Sequence, residues 1–80
     1  MELVELTEFL VKNLVKNKEL VEINLAEENN IKVIQVLVDS SDIGAVIGKN
    51  GAIANAIRTV IQASSYHNRV GKVRINFDTK

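Results

Sequence analysis

The chain has no cysteine, no proline and no tryptophan, and a single histidine, in 80 residues. Each scarcity excludes something. Without cysteine there is no disulfide, no thiolate zinc site and no cysteine nucleophile. His67 alone cannot build a histidine-based metal cluster. No apolar run exceeds three residues, so no membrane-spanning helix is encoded. Glu2 and Glu5 stand where a secretory leader would carry a basic segment. The reading is a cytosolic, soluble chain without a cofactor. Residues 1–80 are expected to form one domain with a modest core, because so short a chain buries only about 60–65% of its unfolded surface. The three aromatics, Phe9, Tyr66 and Phe77, form neither the paired strand aromatics of an RRM nor a repeated stacking platform.

Charge of one sign is also missing: ten basic residues balance ten acidic ones. That balance argues against nucleic acid until the charges are placed. Residues 1–30 hold three lysines against seven glutamates, a net −4. Residues 31–80 hold seven basic side chains against three aspartates, a net +4. Asymmetry of this kind points towards nucleic-acid or membrane contact. The competing explanation is a surface on which the charges intermix once folded.

Residues 2–17 are expected to be a helix, with Leu3, Leu6, Leu10 and Leu14 in one stripe. Val4, Val11 and Val15 widen it beyond what one core face needs, either to fill a small core or to associate with a second chain. Strands are expected at 20–26 and 31–38, joined at Glu27-Glu28-Asn29-Asn30 because Asn tolerates turn conformations. On the second strand Ile34, Val36 and Val38 share one face, and Val33 and Leu37 the other. Ser40-Ser41-Asp42 supplies N-cap oxygens for a short helix. A longer helix is expected over 51–66 and a last strand over 72–78, with Val73, Ile75 and Phe77 inward. The fold class is α+β: a three-stranded sheet packed on one face by three helices, in the order α-β-β-α-α-β.

The one constellation with chemistry is Ile47-Gly48-Lys49-Asn50-Gly51. Gly48 and Gly51 bracket two residues between two helices, where only glycine tolerates the φ values or the close approach. The loop ends at a helix N-terminus, whose free N–H groups and positive dipole favour an anion. A Walker A loop does not fit, since Gly44 and Gly48 have the wrong spacing and Asn50 replaces Ser/Thr. A dinucleotide loop does not fit either, since its first glycine pair is missing. With no nucleophile and no metal cluster, an enzyme is rejected. GxxG between helices in a strand-helix-helix-strand frame is the KH arrangement, whose loop clamps the backbone of about four nucleotides.

Ile47-Gly48-Lys49-Asn50-Gly51, followed by Ile53-Ala54-Asn55-Ala56-Ile57-Arg58-Thr59, resembles the small bacterial single-KH proteins of the KhpA type. The resemblance extends along the whole chain, through Val11-Lys12-Asn13-Leu14-Val15 and the hairpin before Val38-Asp39. It implies a type II KH fold and a post-transcriptional role on mRNA or small RNA, as an RNA chaperone or regulator linked to cell shape. It also implies pairing as a homodimer, or as a heterodimer with a Jag-like KhpB protein. The chain departs from the family pattern at Asn13 and Lys18, where proline is common. It departs again at Ala52 and Asn55, where basic or long polar side chains are common, which thins the charge around the loop.

The expected RNA-binding residues are Ile47, Gly48, Lys49, Asn50, Gly51, Ile53, Ala54, Ile57, Arg58 and Val36. Lys49 meets phosphate as a point charge; the alternative is a solvated lysine. Asn50 touches phosphate or sugar, caps the long helix, or does both. Ile47, Ile53, Ala54 and Ile57 line an apolar groove with Val36 on its strand side, although Ile53 and Ile57 also suit a core. Arg58 shares a helix edge with Ala54 and either reaches a base or phosphate or snorkels at the surface. The competing function is a protein-interaction or dimerisation module with weak or no RNA binding. The absent basic excess predicts a small footprint with few phosphate contacts.

Overall fold

A computed structural model describes residues 2–80. Helix α1 spans Glu2–Lys12, and a 3-10 turn at Lys18–Leu20 leads into β1 (Glu22–Glu28) and β2 (Ile31–Val38). Helix α2 (Ile43–Ile47), a 3-10 turn at Lys49–Gly51, helix α3 (Ala52–His67) and strand β3 (Val73–Thr79) complete the chain. The sheet order is β1-β2-β3. β1 and β2 run antiparallel, with Ile23 opposite Val36. β2 and β3 run parallel, with Ile34 opposite Ile75 and Val36 opposite Phe77. A parallel pair needs a long crossover, and α2 and α3 form it.

The β1–β2 hairpin closes through Asn29 and Asn30, at φ 51° and 67°. Two successive positive φ values give the twist a two-residue hairpin requires. The alternation on β2 holds, for Ile34, Val36 and Val38 are completely buried. They pack with Leu3, Val11, Val15, Val46, Ile57, Ile61, Val73 and Ile75 into one core between sheet and helices. Each such side chain contributes about 1.5–3 kcal/mol when fully buried. Val33, on the outer face of the sheet, is only 8% exposed. It therefore offers little surface for a second chain.

Three local expectations change. α1 stops at Lys12 rather than 17. The Asn13 side chain donates to the Phe9 carbonyl at 2.6 Å, and the Lys16 and Asn17 N–H groups turn away to the Asp42 carboxylate at 3.1 and 3.0 Å. The buried line of α1 is Leu3, Thr7 and Val11, not the leucine stripe. The Thr7 hydroxyl donates to the Leu3 carbonyl at 2.7 Å, so its burial leaves no unmatched donor. Asp42 precedes α2 but makes no side-chain cap. β1 begins two residues later than expected, at Glu22, because the chain first makes the 3-10 turn.

Candidate nucleic-acid interface

α2 and α3 meet at the glycine turn. Gly48 has φ 74° and ψ 176°, a region almost confined to glycine. A Cβ there would lie 2.7 Å from Ile53 Cγ1 and 2.9 Å from Ile53 Cβ. Gly48 is thus required twice, by its backbone angles and by the side chain packed over it. Gly51 has φ 77° and ψ 12°, but a Cβ there would make only ordinary contact with Asn55 Nδ2 at 3.8 Å. The turn is tied by Gly48 N–H to the Gly44 carbonyl at 2.9 Å and Gly51 N–H to the Gly48 carbonyl at 3.2 Å.

Asn50 does not cap α3. It sits inside the turn at φ 55° and ψ 26°, and the cap position belongs to Gly51, which has no side chain to offer. The start of α3 is therefore open to an external acceptor. Lys49 and Asn50 are both exposed, and among the described residues neither side chain is hydrogen-bonded or ion-paired. Two free polar side chains and an uncapped helix start share one exposed turn, an arrangement suited to an anion.

Two clefts flank α3 beyond the turn. One, of about 520 Å³, lies between α3 and the free edge of β3 and is lined by Arg58, Thr59, Gln62, Lys72, Arg74 and Ile75 among others. Arg58 crosses it. Its Nε donates to the Ile75 carbonyl at 3.3 Å, its Nη1 donates to Asn55 Oδ1 at 3.0 Å, and its Cζ lies 5.3 Å from the Phe77 ring centre. A cation over a ring face at that distance is attractive. The other cleft, of about 390 Å³, lies between α1 and α3 and is lined by Leu10, Leu14, Ile53, Ala56, Ile57 and Val60 among others. No charged side chain lines it.

This division rearranges the expected groove. Val36 is completely buried in the central strand, so it does not stand at a groove wall. β3 holds that position, because the sheet order leaves its edge free. Ile53 and Ile57 face α1, away from β3, and Ile57 is 5% exposed. Ala54 is buried, and Ile47 is half-buried against the core. Lys49, Asn50 and Arg58 are exposed, and Gly48 and Gly51 are partly so. Asn55, Gln62 and Lys72 were not anticipated for the cleft. Gln62 follows Arg58 by one helical turn, so the spacing that brought in Arg58 could have brought it in too.

Asp42 holds the frame. Its carboxylate, on a residue only 3% exposed, accepts from Lys16 N–H, Asn17 N–H and Asn17 Nδ2. The hydrogen bond from Lys16 N–H lowers its pKa; burial opposes the shift and Asn17 reinforces it. Asp39 is lowered as well, chiefly by the Ser41 hydroxyl. Among the described residues no cluster of groups could hold a metal ion, and no helix is long and apolar enough to cross a membrane.

A glycine turn between two helices, set on an α-β-β-α-α-β frame with a mixed three-stranded sheet, defines a KH domain of the type II arrangement. The family model for the KH domain of KhpA/KhpB matches residues 4–77, and the chain belongs to that non-enzymatic family. It is 42% identical over 60 residues to the RNA-binding protein KhpA of Borreliella burgdorferi, covering 75% of this chain and 73% of that protein. It is 49% identical over 59 residues to the RNA-binding protein KhpA of Oceanobacillus iheyensis, covering 74% and 79%. It is similar in fold to Era crystallised with MgGDPNP and a segment of 16S ribosomal RNA, with a TM-score of 0.64 at 19% identity. That match covers 98% of this chain and 30% of the Era chain.

Proposed function

We propose that residues 1–80 act as one KH domain that binds single-stranded RNA at the Gly48–Gly51 turn. The observation that carries this reading is the uncapped start of α3 beside the unpartnered Lys49 and Asn50. The turn's backbone N–H groups and Lys49 take phosphates of about four nucleotides. Bases lie in the cleft between α3 and β3, where Arg58 and Asn55 offer hydrogen bonds and the guanidinium a stacking plane. The names of the KhpA relatives support the ligand class. The biological role consistent with such a site is a cytoplasmic post-transcriptional regulator or RNA chaperone, since one small cleft reads little sequence.

The test replaces Lys49 and Asn50 with Asp and follows a fluorescent single-stranded RNA by anisotropy. The expected result is at least a tenfold loss of affinity with unchanged thermal midpoint. Undiminished binding would remove the turn from the site.

A second role rests on the cleft between α1 and α3. Its lining is apolar and uncharged, so a second copy of the chain, or a KhpB-type partner, could approach without repulsion. Pairing would place two weak sites on one particle and raise affinity by avidity, about 10²–10⁴ where geometry allows both to engage. Sedimentation of the wild type against Val60→Glu tests it: the wild type is expected to sediment as a dimer and the variant as a monomer.

A further inference from the structure

The cleft between α3 and β3 does not end near the turn. It runs past Arg58 to Lys72 and Arg74. At 1.5 Å per helical residue, Gln62 lies about 16 Å along α3 from Gly51. The far end of the cleft is therefore well separated from the anion site at the turn.

That end is built rather than loose. Gln62 Nε2 donates to the Gly71 carbonyl at 3.0 Å, and Val73 N–H donates to Gln62 Oε1 at 3.1 Å. Gln62 thus pairs with the start of β3 as a neighbouring strand would. The Ser65 hydroxyl donates to the same Gly71 carbonyl. Gly71 has φ 94° and Arg69 φ 61°, so the chain turns sharply into the strand. These bonds fix the backbone from which Lys72 and Arg74 project.

The charges are segregated. Among the described residues the ion pairs are Lys12 with Glu8, Lys32 with Glu27 and Lys80 with Glu22. Lys49, Arg58, Lys72 and Arg74 take part in none of them. In sheet register Glu27 faces Lys32, which faces Val73. That carboxylate is two strand spacings from β3, about 10 Å, and is engaged by Lys32. Cations recurring along one cleft suit a ligand with recurring anions, not a single anion.

We infer that Lys72 and Arg74 form a second phosphate contact at the end of the cleft remote from the glycine turn, so that the ligand is one RNA strand longer than the four nucleotides held by the turn. This rests on the RNA reading above. Arg58, midway, lies beneath the strand between the two contacts.

The test uses two fluorescent oligouridines, a tetramer and a strand of roughly eight nucleotides, with wild-type protein and Lys72→Glu/Arg74→Glu. The wild type binds the longer strand more tightly and with a steeper salt dependence. In the variant the longer strand loses about tenfold in affinity, its log K against log salt slope flattens by about 1.4, and the tetramer is unchanged. Lys72→Gln/Arg74→Gln, which removes charge without reversing it, shows the same flattening even where the Glu variant unfolds. An unaltered slope, or an equal loss on both lengths, overturns the second contact. Wild-type protein that binds both strands equally also overturns it, whereas wild-type protein that binds neither overturns the RNA reading itself.

Discussion

The two sides of α3 are unlike. Towards β3 the helix presents Asn55, Arg58 and Gln62, and each of these side chains hydrogen-bonds within the cleft. Towards α1 it presents Ile53, Ala56, Ile57 and Val60, and the facing wall is largely leucine. One helix thus separates a cleft built to meet a polar, charged ligand from one built to exclude water. The difference follows from residue spacing: one edge repeats polar side chains at helical intervals, and the next repeats apolar ones. The glycine turn joins the two, because Gly48 belongs to the anion site while Ile53, which covers it, lines the apolar cleft.

The largest predicted effect breaks both sides together. Gly48→Ala forces a side chain into a glycine-only region and against Ile53, and should cost about 2–4 kcal/mol in chemical denaturation. RNA binding should fall with it. Loss of binding at undiminished stability would mean that Ile53 gives way freely.

Next comes the frame beneath both clefts. Asp42→Asn leaves the Lys16 and Asn17 donors with a poorer acceptor and should cost about 1–3 kcal/mol. It also carries a pH signature. A carboxylate whose pKa is lowered by folding contributes its full stabilisation above the unfolded value of 3.8, and loses it as pH falls through the folded value. Wild-type melting temperature should drop below about pH 4, and the Asn variant should drop less. Asp39, lowered in the same direction, should leave the variant some residual acid sensitivity.

A smaller effect separates the two glycines. Gly51 lies in the left-handed region, which Asn tolerates, and a Cβ there meets nothing closer than 3.8 Å. Gly51→Asn should therefore cost under about 1 kcal/mol, while Gly48→Asn should be as costly as Gly48→Ala. Equal losses at the two positions would contradict the role given to Ile53. The smallest effect on stability is expected at Val60, which is 46% exposed. Val60→Glu should change the melting midpoint little and leave tetramer RNA binding intact, while abolishing self-association.

Local patterns made much of this legible in the sequence. The alternation in β2, the Asn29-Asn30 turn and the spacing of Gly48 and Gly51 each depend on neighbours within a few residues. They gave the α+β order, the KH resemblance and the turn. What was misread depends on contacts distant in sequence. The apolar period of α1 runs on through Val15, but Asp42, 26 residues from Lys16, draws the backbone out of the helix. Val36 has the right residue type for a groove wall, yet its place depends on which strand is central, and that is settled by the parallel pairing of β3. Ile53 and Ile57 share a helix with Arg58, but only the packing of α1 decides which cleft they face.

The most direct measurement is an amide NMR titration of the protein with short single-stranded RNA. The account predicts shifts confined to the Gly48–Gly51 turn, the first turn of α3 and the β3 edge around Val73–Phe77, with Leu14, Ala56 and Val60 unmoved. Shifts centred on the α1–α3 cleft, with the glycine turn silent, would contradict it.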